Sequence, residues 1–197
     1  MIKIIDNFME DTSSVDWLYD FFRRIGTYQF DFFPHSYVNK TKKSSEADHH
    51  VSNIIKAFCS ADIKYIGKGY EPWINVLNLQ EDHLHYHVDC DEEAEGVVPA
   101  KMTATLYLGP SDGIEGGELA INTTPYINSS TFKYKTIYDL KKDIDNDWII
   151  IPYKYNRLIL FDSNYPHAVL PLTDLPNQES RISLIVSVWD KHIKVQK

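Results

Sequence analysis

From about residue 70 onward the hydrophobic pattern takes a period of two and keeps it through seven short runs. Segments 72–79, 83–89, 102–109, 117–122, 148–153, 157–163 and 181–189 read as strands, separated by Gly, Pro, Asp and Asn clusters. So many short strands in 197 residues restrict the core to a sandwich, jelly roll or barrel. Pro99, Pro110, Pro152 and Pro171 sit at or near the edges of the runs, where a missing N–H donor does least harm.

Upstream the period is three to four. Val15, Leu18, Phe22 and Ile25 form one helical stripe, with Ser13 and Asp16 spaced as a capping box and Gly26 as a stop. A second helix is expected from about Ala47 to Cys59, with Val51, Ile54, Ile55 and Phe58 on one face and Ser45/Asp48 at its start. The length favours one domain spanning 1–197, with helical support over about 1–70 and a β core over about 71–190. Segment 123–147 fits neither period; it is expected to be a surface loop or a lid, with a helical turn near Tyr138–Asp143.

Charge and cysteine content narrow the function classes. The 28 acidic residues exceed the 20 Lys and Arg, a net charge of −8 that disfavours a nucleic-acid partner. Cys59 and Cys90 form no CxxC, which argues against a zinc ribbon or a dithiol redox site. The apolar runs are strand-sized, far short of the roughly 20 residues of a membrane span, so no membrane partner is expected. The opening IKIIDNF is too short in apolar length for a signal-peptide core, and the expected compartment is the cytoplasm.

The chemistry concentrates in a few polar positions on otherwise apolar strands. His83, His85, His87 and Asp89 differ by two and share one strand face. That row is either a solvated outer face or a ligand set. His167 follows a strongly apolar strand; with His87 and Asp89 it completes two imidazoles and a carboxylate, the facial set of non-haem iron centres. In 181–189, Arg181, Ser183, Ile185, Ser187 and Trp189 alternate with an ordinary core face. A buried guanidinium wants an anion, either an internal carboxylate or a ligand. Thr103, Thr105 and Tyr107 also face together, and Tyr107 can offer a hydroxyl to the same anion. Arg157, the other arginine of this region, is expected to brace the sheet.

The order HxD (His87, Asp89), YLG (107–109), GGEL (116–119), NRLILFDS (156–163), His167 and RxS (Arg181, Ser183) resembles the Fe(II)/2-oxoglutarate-dependent dioxygenases. Within them it is most similar to the prolyl 4-hydroxylase branch. The resemblance covers about residues 70–190, and the opening IKIIDNF with its helix resembles that branch too. It implies a mainly β fold, a double-stranded β-helix (jelly roll) with supporting N-terminal α-helices. It further implies Fe(II) on His87, Asp89 and His167, and 2-oxoglutarate with its far carboxylate on Arg181, helped by Tyr107 and Ser183. Dioxygen as co-substrate, ascorbate as reductant, and hydroxylation with release of succinate and CO2 complete what it implies.

Two features depart from that branch. It often uses lysine as the anion anchor, whereas here an arginine stands fourteen residues after His167. His85-x-His87 with Glu92 is also similar to a cupin metal motif, but Leu79 and Asn164 stand where that motif has glycines. The competing reading is therefore a non-catalytic or cupin-like metal-binding jelly-roll module. As substrate, peptidyl proline is the first expectation, with a free amino acid or small metabolite next. The acidic run Asp89–Glu95, if it rims the pocket, favours neutral or cationic substrates.

Overall fold

The computed structural model describes residues 1–31, 33–34, 45–61, 67–79, 87–90, 98–125, 148–176 and 179–191. The elements run β1 (Ile2–Ile5), α1 (Ser13–Ile25), β2 (Tyr28–Gln29), β3 (Phe33–Pro34), α2 (Glu46–Ser60), β4 (Gly69–Leu77), β5 (Met102–Gly109), β6 (Glu115–Gly116), β7 (Leu119–Asn122), β8 (Trp148–Ile151), β9 (Leu158–Phe161), β10 (His167–Val169), β11 (Leu172–Asp174) and β12 (Arg181–Trp189). The large sheet has the order β1-β9-β5-β12-β4-β2, with β3 also on β4; a second sheet has the order β10-β7-β8, and β11 pairs with β6. All pairings are antiparallel.

The two faces of the large sheet do different work. Ile182, Leu184, Val186 and Val188 of β12 pack with Ala104, Leu106 and Leu108 of β5 and with Val15, Leu18, Phe22, Val51, Ile54, Ile55 and Phe58 of the helices. This is the main core, and it fixes the helices to one side. The opposite face presents Tyr107, Ile159 and Phe161, which meet Leu119, Ile121 and Ile151 of the second sheet. Arg181, Ser183 and Ser187 share that inner face by alternation and are all buried.

Both helices form as the apolar stripes predict, with two corrections. Ile25 is exposed rather than packed. The start of α1 is not a Ser13–Asp16 box: Thr12 is the N-cap and no side chain caps the helix. Instead the Thr12 hydroxyl donates to Asp16 Oδ2 (2.9 Å), and Asp11 accepts from the Ser13 N–H (2.9 Å). The α2 start does follow expectation, Ser45 Oγ accepting from Asp48 N–H at 3.1 Å. Gly26 ends α1 at φ 95°, a left-handed value that glycine adopts without strain, and its N–H donates to Phe22 O at 2.8 Å.

Strands 102–109 and 181–189 have the expected bounds; 72–79, 117–122, 148–153 and 157–163 shorten by a few residues at their ends or shift. Of segment 83–89, positions 83–86 lie outside the described residues, as do most of 123–147 (residues 126–147) and the acidic run Asp89–Glu95 beyond position 90. Among the described residues no helix is long and apolar enough to cross a membrane.

Candidate metal centre and anion cradle

His87 and His167 are brought together by backbone pairing. They form an antiparallel bridge in which His87 N–H donates to His167 O (3.0 Å) and His167 N–H donates to His87 O (2.8 Å). The bridge sets the two rings side by side, centroids 4.4 Å apart. Two residues on, Ala100 N–H donates to Asp89 O at 2.9 Å, and Cys90 bridges Pro99, which turns Asp89 inward. Asp89 Oδ1 lies 3.6 Å from His87 Nε2, and Oδ2 lies 3.8 Å from His167 Nε2. The ligand atoms of His87, Asp89 and His167 all fall within 4.8 Å of one another.

The local chemistry suits a hard-to-borderline dication. His167 Nδ1 lies 3.1 Å from Tyr165 O, so the proton belongs on Nδ1 and the Nε2 lone pair faces Asp89. Burial, together with His87, pushes the His167 imidazole down to about 4, against the opposing pull of Asp89, and keeps it neutral at physiological pH. Burial alone would raise the Asp89 carboxyl; the two imidazoles and the Thr103 hydroxyl outweigh it and hold it ionised. The His87 side chain is 41% exposed against 6% for Asp89 and 8% for His167, so access to the cluster is from the His87 side. His83 and His85 lie outside the described residues.

A second polar group sits deeper on the same inner face. Arg181 is 1% exposed, and its Nε and Nη2 have no hydrogen-bond partner among the described residues. Tyr107 Oη and Ser183 Oγ are equally buried and likewise have no hydrogen-bond partner within bonding distance among the described residues. Ser183 pairs with Tyr107 in register, and the Arg181 guanidinium carbon lies 4.8 Å from the Tyr107 ring centroid and 5.7 Å from that of Tyr153. Burial raises the Tyr107 phenol against the pull of Arg181, so it remains an O–H donor. Among the described residues no carboxylate or carbonyl receives these four donors; left so in a dry site they would be costly in a native fold, and they suit an anion.

Tyr107 is anchored through its main chain: its N–H donates to Arg157 O, and its carbonyl accepts from Asn156 N–H. Arg157 itself faces outward, its Nε and Nη2 on Asp6 (2.6 and 3.1 Å) and its Nη1 on Pro152 O (2.7 Å). It braces the sheet, as the sequence leads one to expect. Gly117 of the GGEL motif adjoins the cradle at φ +68°; a Cβ there would lie 3.0 Å from Arg181 Cδ and 2.7 Å from Leu172 Cδ2.

Sequence reasoning left two residues of the centre without a role. The Thr103 hydroxyl donates to Asp89 Oδ2, and the Ser163 hydroxyl lies 2.8 Å from Thr103 Oγ1. Alternation along 102–109 places Thr103 on the Tyr107 face; Ser163 ends the NRLILFDS motif, and nothing in its pattern points to Thr103.

A profile described as the 2OG-Fe(II) oxygenase superfamily matches residues 73–189. No curated protein matches the chain by sequence. Among solved structures, a Pseudomonas putida prolyl-4-hydroxylase superposes with a TM-score of 0.60 at 14% identity, covering 96% of this chain and 85% of that one. The viral collagen prolyl hydroxylase of Paramecium Bursaria Chlorella virus-1 gives 0.53 at 16% identity, covering 95% and 90%. Apo HygX from Streptomyces hygroscopicus gives 0.60 at 9% identity, covering 99% and 84%. At these identities the likeness is one of fold, and it is that of the double-stranded β-helix with N-terminal helices.

Proposed function

We propose a function from the premise that this chain belongs to the 2OG-Fe(II) oxygenase superfamily: it is a dioxygenase that hydroxylates a substrate at the His87, Asp89 and His167 centre while consuming 2-oxoglutarate. The observation that carries this reading is the unpartnered cradle beside the ligand cluster. Thr103, bonded to Asp89, and Tyr107, beside Arg181, are four residues apart on one face of β5, about 13 Å at the usual rise. The ligand cluster and the anion cradle thus lie along one strand face, the arrangement a diacid requires if one end is to chelate the metal and the other is to meet Arg181.

In this reading His87, Asp89 and His167 hold Fe(II), Arg181 binds the far carboxylate, and Tyr107 and Ser183 donate hydroxyl protons to it. The bound iron and keto acid supply dioxygen activation and hydroxylation, with succinate and CO2 as the released products. The chain's own part is orientation and dryness. Ile159, Phe161, Leu119 and Ile121 pack around the interior, and Phe161 meets the His167 ring edge-on at 4.8 Å. Ascorbate as reductant, a single domain over 1–197 and a cytoplasmic setting belong to the same proposal.

As substrate we infer peptidyl proline, ahead of a free amino acid. Support comes from the solved prolyl hydroxylases that share the fold, and from a groove of about 530 Å³ lined by Pro99, Lys101, Met102, Phe161, Asp162 and Trp189. Met102 and Phe161 place that groove at the end of the sheet that carries Thr103. The test is succinate release with Fe(II), ascorbate and 2-oxoglutarate across peptides and free amino acids. Stimulation by proline-containing peptides is the expected result. Stimulation by free amino acids alone would reassign the substrate, and no 2-oxoglutarate binding at millimolar concentration would overturn the enzyme reading.

The crowding at Gly117 gives a sharper check. Gly117→Ala should push the Arg181 guanidinium off its seat and raise the 2-oxoglutarate concentration for half-maximal turnover about tenfold, a fraction of a charged hydrogen bond. Metal affinity measured without 2-oxoglutarate should stay at the wild-type value. A variant with unaltered 2-oxoglutarate dependence would remove Gly117 from any part in seating the anion.

A further inference from the structure

We propose that Thr103 and Ser163 are positioning residues of the metal centre, a two-hydroxyl relay that fixes how the Asp89 carboxylate is presented to the ion. The inference rests on the reading of His87, Asp89 and His167 as the metal ligands. Both hydroxyl residues are fully buried, at 0% exposure. An ionised carboxylate only accepts, so the single Thr103 proton points at Asp89 Oδ2. The Thr103 oxygen is then the acceptor for Ser163, 2.8 Å away. Both protons are thereby assigned without reference to any bound group.

The fold explains why this relay can be rigid. Thr103 pairs with Phe161 in the β5–β9 register, which carries Ser163 to the Asp89 side just past the end of β9. The Asp89 main chain is held by Ala100, but the terminal torsion of an aspartate is broad and soft. The Thr103 bond narrows it. With one oxygen capped by a donor, the remaining lone pairs are the ones turned toward the two imidazoles. An outer hydroxyl that orients a ligand in this way is worth about 10- to 100-fold in metal affinity.

The test is calorimetric titration of the metal-free protein with Fe(II), and with Co(II) as an air-stable probe, under anaerobic conditions and without 2-oxoglutarate. Thr103→Val keeps the side-chain shape and should weaken metal binding about 10- to 100-fold. Thr103→Ser should restore it to within a few-fold of wild type, which a role in packing alone would not do. Ser163→Ala should weaken binding by a smaller factor, and Thr105→Val, the next position on the same face, should not change it. Wild-type affinity in Thr103→Val would overturn the proposal, and so would a Thr103→Ser variant no better than Thr103→Val. If Thr103→Val fails to fold, Ser163→Ala decides: undiminished affinity there overturns the relay. A wild-type protein that binds neither ion would bring down the metal centre and this inference together, whereas wild-type binding with unaffected variants would bring down the inference alone.

Discussion

Asp89→Ala is expected to reduce 2-oxoglutarate-dependent succinate formation to background and to remove tight Fe(II) binding. Asp89 is the one carboxylate in the His87, Asp89, His167 cluster, and it is 7% exposed. Without it a dication would face two neutral imidazoles and no compensating charge. One unit of charge at 4 Å and an effective dielectric constant near 20 is worth about 4 kcal/mol, or about a thousandfold in affinity. Asp89→Asn retains the shape and the Thr103 contact but not the charge, and should lose nearly as much. The measurement is metal titration beside turnover, with the melting temperature of the metal-free variant as a control for folding. Full turnover in Asp89→Ala would show that this residue is not a ligand.

How much of this was readable beforehand follows from the range of each interaction. The long strands β5 and β12 announce themselves because alternation over eight or nine residues is a strong signal. Strands of two or three residues, such as β6, β10 and β11, carry too few positions to show any period. The β10 strand matters most, since its pairing with His87 assembles the centre. That pairing joins residues eighty positions apart, and no local pattern encodes it; the likeness to a family supplied the expectation. Burial of Arg181 was legible from alternation alone, whereas the lack of a hydrogen-bond partner for its Nε and Nη2 among the described residues required the packed structure. The displaced cap of α1 shows the opposite limit. Asp11, Thr12, Ser13 and Asp16 are all competent cappers, and a difference of one residue rests on which of their hydrogen bonds the folded chain makes, here Thr12 to Asp16 and Ser13 N–H to Asp11.

The second large effect is expected at Arg181, where the enzyme and the non-catalytic module part company. A module that only holds a metal has no use for a buried guanidinium without an internal carboxylate. Among the described residues Arg181 has no such partner; the Tyr107 and Tyr153 rings supply cation–π contact but satisfy no N–H. Arg181→Ala should therefore raise the half-saturating 2-oxoglutarate concentration about 10- to 150-fold, the value of one charged hydrogen bond at 1.5–3 kcal/mol. Arg181→Lys keeps the charge but not the fork and should fall between. Because the ligand binds only the folded state, 2-oxoglutarate should raise the melting temperature of the wild type, and that shift should vanish in Arg181→Ala. Metal affinity without 2-oxoglutarate should be unchanged, which separates this loss from the one at Asp89. An unaltered 2-oxoglutarate dependence in Arg181→Ala would mean that the unpartnered cradle serves some other anion, and the metal-binding module would then be the better account of the site.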